Sequence, residues 1–268
     1  MQVPVHGAPT YCYTAGKPLN PAQPTVVFIH GVLCDHSVWA LQSRYLAHHG
    51  WNVLAVDLPG HCRSGGEAPA SVEQAADFII ALLDALGIQR AALVGHSWGS
   101  LIALEAAARL GARASHLALV GTAFPMKVSP ALIEAALNAP EKALKMVNVF
   151  SRSTLVSPLD AGFWVYGAGL ALGRRVLRSN PQANVFHRGF VACDSYAGGE
   201  RAIAAIQCPV LFVLGMQDQM TPPKAAQGLI TAARAAGKAV QVAHLPVGHS
   251  QMTEAPDQTL LALRDFLT

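Results

Sequence analysis

The sequence predicts an α/β fold: a mostly parallel sheet with helices on both faces. Three observations predict it. Short apolar runs alternate with helical patterns up to about residue 122 and again after about residue 207, the rhythm of strands joined by crossover helices. The runs are continuously apolar, as strands buried on both faces require. One of them, Ala91-Ala92-Leu93-Val94, passes through Gly95-His96-Ser97-Trp98-Gly99 directly into a second, Leu101 to Ala108, that is apolar nearly all round. That is a buried strand turning tightly into a buried helix. With 268 residues, 52% apolar and 13% charged, the chain can bury a large core.

In chain order, strands are expected at residues 10–14, 25–29, 52–56, 90–94 and 117–120, with helices at 38–48 and 71–86 between them. The pattern resumes with a strand at 210–214, a helix opening at Pro222-Pro223, a strand at 240–244 and a closing helix at 256–267. Proline suits both helix starts, because its missing N–H is unbonded there anyway. Between about 124 and 195 the rhythm changes to helix and loop, punctuated by Pro125, Pro130, Pro140, Pro158 and Pro181. This stretch is expected to be a helical cap over the C-terminal ends of the strands, the edge where open α/β sheets bind ligands. The alternative is a helical arm packed on the side of the sheet. The expected organisation is a core of residues 1–123 and 196–268 with a cap of 124–195 inserted in it.

Composition excludes several classes. No apolar stretch reaches membrane-spanning length, and the start, Met1-Gln2-Val3-Pro4-Val5-His6, has neither the basic nor the apolar part of a signal peptide. Five cysteines without paired spacing fit a reducing compartment, so a cytoplasmic location is expected. A net charge of +3 argues against nucleic acid as a partner. Eleven histidines are scattered without zinc-site spacing, so neither metal nor cofactor is expected. Oligomeric state leaves no signature here.

The chemistry is expected at Ser97. On a tight strand-to-helix turn a serine hydroxyl is pushed out above the sheet, where a developing negative charge meets free backbone N–H groups and the helix dipole. Gly95 and Gly99 flank it because strand and helix backbones come too close there for side chains. Serine at such a position can also simply cap the helix. A nucleophilic serine needs a base and a group to hold that base. Gly215-Met216-Gln217-Asp218 follows the strand at 210–214, and Leu245-Pro246-Val247-Gly248-His249 follows the strand at 240–244. Both are thus expected at the same sheet edge as Ser97. Asp57 and Asp194 are rival acids, less well placed along the chain.

The residues His30-Gly31, Asp57-Leu58-Pro59-Gly60-His61, the turn at Ser97, Asp218 with Thr221-Pro222-Pro223, and Gly248-His249 with Glu254-Ala255-Pro256 span nearly the whole sequence. Together they resemble the α/β-hydrolase fold superfamily. The resemblance implies an eight-stranded sheet and a serine-type hydrolase, with Ser97 as nucleophile, His249 as general acid/base and Asp218 orienting the imidazole. It implies an oxyanion hole from the N–H groups of Val32 and Trp98, with His30, Gly31, Gly95 and Gly99 in support. The expected substrate is a small carboxylic ester. Thioester, lactone, amide or carbon–carbon bond hydrolysis would use the same machinery, peracid formation stays open, and serine disfavours haloalkane dehalogenation. From another class, a ligand receptor on a hydrolase shell also fits.

Cys34 and Cys62 stand where relatives carry smaller residues, so either a thiol pair or two loop-filling side chains is expected. Met126, Met146, Phe163, Trp164, Tyr166 and Phe186 are candidates to line an apolar substrate pocket, or to glue the cap to the core. Residues 123–193 carry eight Lys/Arg against three acidic residues, a net of +5. Such a roof either steers anionic substrates or is a solvated helix face.

Overall fold

The computed structural model describes residues 1–154 and 165–268. Eight strands form one sheet: β1 (Gln2–Val5), β2 (Ala8–Tyr13), β3 (Thr25–Ile29), β4 (Asn52–Val56), β5 (Ala91–His96), β6 (Ala114–Val120), β7 (Val210–Gly215) and β8 (Val240–Leu245). Their order is β1-β2-β4-β3-β5-β6-β7-β8. The β1–β2 and β2–β4 pairs are antiparallel, and the other pairs are parallel.

Helices cover both faces. They are α1 (Ala40–His48), α2 (Val72–Ala85), α3 (Trp98–Leu110), α4 (Pro130–Asn138), α5 (Pro140–Phe150), α6 (Val165–Ser179), α7 (Val185–Ser195), α8 (Gly199–Ala205), α9 (Gln227–Ala235), α10 (Gln251–Glu254) and α11 (Pro256–Leu267). On β3, Val27 and Ile29 face a core built with α2, α3, α8 and α9, whereas Val26 and Phe28 face a second core with α1 and α11. Every residue of β3 is therefore buried, which is why its sequence shows no polar alternation. The all-round apolar character of α3 has the same origin, since the helix lies between the sheet, α2 and α8.

Local signals set the ends. Ser71 Oγ accepts the Gln74 N–H at 3.2 Å while the Gln74 side chain accepts the Ala70 N–H at 2.9 Å, so two otherwise unbonded donors at the start of α2 are met. The helix expected from residue 38 is a short 3₁₀ turn, His36–Trp39, running into α1. β1 was not expected from the sequence. It pairs with β2 across a two-residue turn in which His6 and Gly7 take φ of 48° and 78°, the geometry that matches strand twist.

Between β6 and β7 the described residues form five helices and no strand. Leu132, Ala143, Leu144, Val176, Phe186 and Phe190 build a third apolar cluster there, closed against Leu33 of the loop after β3. Among the described residues no helix is long and apolar enough to cross a membrane.

Candidate active site

Ser97 joins β5 to α3 with φ 53° and ψ −121°, a conformation that costs a non-glycine residue about 1–3 kcal/mol. Its neighbours leave it no alternative. A Cβ on Gly95 would overlap the Gly99 carbonyl, and one on Gly99 would overlap the Ile29 carbonyl. The Ser97 N–H is held by the Val120 carbonyl at 2.9 Å. The side chain lines a cavity of about 480 Å³.

Asp218 sits in the loop after β7, and His249 in the loop after β8. The two loops come together because Gly215 has no side chain; a Cβ there would overlap the Gly248 carbonyl. Asp218 folds its loop around its own carboxylate: Oδ1 accepts the N–H groups of Met220 and Thr221, each at 2.8 Å. Oδ2 lies 2.8 Å from His249 Nδ1. An ionised carboxylate only accepts, so Nδ1 carries a proton, and in the neutral ring the lone pair is left on Nε2.

Burial by itself would raise the Asp218 carboxyl. The His249 imidazole and the donors of Thr221 outweigh it and hold the group down at about 2. Thr221 Oγ1 is 2.7 Å from Asp218 Oδ2 and 3.0 Å from both His249 Nδ1 and the Gly121 carbonyl. A hydroxyl there steadies carboxylate and imidazole together.

The backbone of His249 is fixed on both sides. Its N–H donates to the Ser151 carbonyl at 2.9 Å, and its carbonyl accepts from His96 Nε2 at 2.8 Å. Burial and the neighbouring His249 push the His96 pKa down to about 3, so that ring is neutral at ordinary pH. The His96 bond joins the serine turn to a residue 153 positions away. The Glu254 carboxylate accepts the N–H groups of Gly248, Ser250 and Ser153 at 2.9–3.1 Å. It thereby ties the histidine loop to the segment after α5.

Val32 lies in the turn after β3, and Trp98 is the first residue of α3. Gly31 sits against the serine, since a Cβ on it would stand 3.2 Å from Ser97 Cβ. His30 braces this loop. Its Nδ1 donates to the Gly31 carbonyl at 2.8 Å, and its Nε2 accepts the Leu58 N–H at 3.1 Å.

The expected pocket lining needs correction. Met126, Met146, Tyr166 and Phe186 do not line the cavity; Val32, Leu33, Leu144, Leu172, Phe190 and Met252 do. Met126 packs into the sheet core, and Met146 and Phe186 into the third apolar cluster. Tyr166 offers its carbonyl to Asn148. Phe163 and Trp164 lie outside the described residues.

The rival acids are occupied elsewhere: Asp57 with His36 at 2.7 Å, and Asp194 with Lys127 at 3.8 Å. Asp35, His36 and Asp57 bring three potential ligand atoms within 4.8 Å. Their oxygens already hold Ser37, Arg175, His36 and Arg63, and a cation would have to displace these partners. Cys34 and Cys62 are free thiols, and Cys62 Sγ donates to Asp35 Oδ2 at 3.2 Å. Burial, with Asp35 nearby, pushes both thiols up to about 12.

Comparison with known proteins agrees with this fold. A model of the alpha/beta hydrolase fold matches residues 24–159, just over half of the chain. The chain belongs to the α/β-hydrolase family. Among relatives, an (E)-2-((N-methylformamido)methylene)succinate hydrolase of Acinetobacter baylyi is 26% identical over 248 residues, 90% of this chain and 89% of the relative. An epoxide hydrolase of Caballeronia sordidicola is 39% identical over 89 residues, 32% of this chain and 27% of that protein. The stretches shared with the first curated relatives span 26–31% of their length. Among solved structures, the enol-lactonase of Burkholderia xenovorans LB400 superposes with a TM-score of 0.83 at 24% identity, covering 100% of this chain and 99% of that one. This α/β-hydrolase thus shares its whole architecture with that structure.

Proposed function

We propose that this α/β-hydrolase is a serine hydrolase that cleaves a small carboxylic ester, open or cyclic, through an acyl-enzyme. One observation carries the reading: the imidazole of His249, oriented by Asp218 at 2.8 Å, opens on the same cavity as the strained Ser97. His249 Nε2 takes the Ser97 proton as Oγ attacks the ester carbonyl. Asp218 stabilises the imidazolium without itself being protonated. The tetrahedral oxyanion is met by the N–H groups of Val32 and Trp98, a pair worth about 3 kcal/mol per donor. His249 then returns the proton to the leaving alcohol, and water, activated by the same imidazole, releases the acid. Within residues 124–195, the described helices α4 to α7 act as the cap over this chamber.

The nucleophile's chemistry selects the substrate class. Serine opening an epoxide would leave an ether, which water does not cleave, whereas serine on an ester leaves a new ester that water does cleave. An acyl-transfer reaction is therefore favoured over epoxide opening, and a lactone, being an internal ester, stays within it.

Rapid mixing with p-nitrophenyl butyrate tests the reading. The wild type should release p-nitrophenol in a burst followed by turnover. Ser97→Ala and His249→Ala should each lose about 10⁴-fold or more in kcat. A full burst from Ser97→Ala would refute the assignment. Wild-type protein that is folded yet inert to activated esters would favour a ligand receptor.

A further inference from the structure

One arginine of the cavity has no role in the steps above. Arg152 follows α5, is only 7% exposed, and lines the cavity together with Asn148 of that helix. Its Nη1 donates to Thr253 Oγ1 at 2.8 Å, and Nη2 makes a long bond of 3.4 Å to the Val165 carbonyl. Among the described residues its buried Nε has no partner.

Four other cations of this region are paired, and Lys142, Lys145 and Arg178 do not line the cavity. Arg174 pairs with Glu141, Arg175 with Asp35, Arg188 with Glu67 and Lys127 with Asp194. Arg152 pairs with no carboxylate among the described residues. Glu254 acts on it through space, but the oxygens of that carboxylate are taken by three backbone N–H groups. No Asp or Glu among the described residues lines the cavity.

A buried guanidinium stays charged, and burying it without an anion is costly. Such a site persists where a ligand brings the anion. The under-used donors are Nε, which has next to no accessible surface in this structure, and Nη2. Together they form the side-on edge that matches the two oxygens of a carboxylate once the side chain turns towards the cavity. The segment also stands beside the reacting groups, since the Ser151 carbonyl accepts the His249 N–H. The remaining lining is mainly aliphatic, suited to a short chain between the two ends.

We propose that Arg152 is a carboxylate subsite, so that the ester reaching Ser97 carries a second, free carboxylate a short aliphatic chain away. The inference rests on the hydrolase reading above and names its substrate class: a half-ester of a dicarboxylic acid, or a carboxylate-bearing lactone.

The test compares kcat/KM for mono-p-nitrophenyl glutarate and for neutral p-nitrophenyl butyrate on the full-length protein. The wild type should prefer the anionic ester by about tenfold or more. Arg152→Gln should reduce that ratio about tenfold or more, chiefly through KM, and Arg152→Lys should recover part of it. Equal use of both esters by the wild type, or an unchanged ratio in Arg152→Gln, would overturn the proposal. If Arg152→Gln does not fold, inhibition of wild-type butyrate hydrolysis decides: pentanoate should inhibit about tenfold better than pentanamide, and equal inhibition overturns the idea. Absence of any ester hydrolysis and of fluorophosphonate labelling would instead mark failure of the hydrolase reading. Calorimetric titration of the wild type with glutarate would then still decide the subsite, binding supporting it and no binding overturning it.

Discussion

At Asp218 burial and hydrogen bonding oppose each other, and hydrogen bonding wins. The carboxyl moves from its ordinary 3.8 down to about 2 because burial, which raises it, is outweighed by His249 and Thr221. A depressed carboxyl binds its proton less tightly folded than unfolded. Its contribution to stability is therefore complete above about pH 4 and is lost as pH falls towards 2, on the order of 2 kcal/mol in all. Urea unfolding of wild type and Asp218→Asn should show a stability difference that narrows between pH 4.5 and pH 2.5; a constant difference would contradict the account. The position of this acid was legible in the sequence, because a carboxylate right after a strand can reach only the rim of the sheet. Thr221 was seen only as part of a motif, since nothing in its spacing reveals that its hydroxyl reaches both Asp218 and His249. Arg152 was one of eight Lys/Arg in residues 123–193. What distinguishes it, burial without a counter-ion, exists only once the chain is folded.

The strand-to-helix turn is the element on which the serine's exposure depends. Gly95→Ala would drive a methyl group into the backbone of Gly99 and Ser100, at a cost of about 3 kcal/mol. Gly228→Ala is the control. It lies exposed near the start of α9 with nothing within 4 Å of its added Cβ, and should stabilise by about 0.5–1 kcal/mol. Chemical denaturation of both variants checks the pair; a Gly95→Ala protein as stable as wild type would mean that the turn is not tightly packed. Elements of this kind were readable to differing degrees. β3 and β4 are continuous apolar runs with sharp polar borders, and α11 opens at a proline, so their bounds agree with expectation. β1 escaped because it is four residues long, includes Pro4 and lies at the sheet's edge, where proline is tolerated but reads as a breaker. The helices between β6 and β7 were recognisable as helices, but not their rotation. Phe186 and Phe190 are one turn apart on α7, yet of the two only Phe190 reaches the cavity, which composition could not distinguish.

At the scale of the molecule, the sheet order does the assembling. β5, β7 and β8 run parallel through β6, so the chain leaves each of them at one edge and residues 97, 218 and 249 meet there. The site thus exists only in the folded chain, and its central claim is that this convergence activates one serine. Labelling with a fluorophosphonate, followed by peptide mass spectrometry, tests that claim most directly. The account predicts one adduct per chain, on Ser97, formed by native protein and abolished by urea, by Ser97→Ala and by His249→Ala. A well-folded wild type that stays unlabelled, or carries its adduct on any other residue, would contradict it.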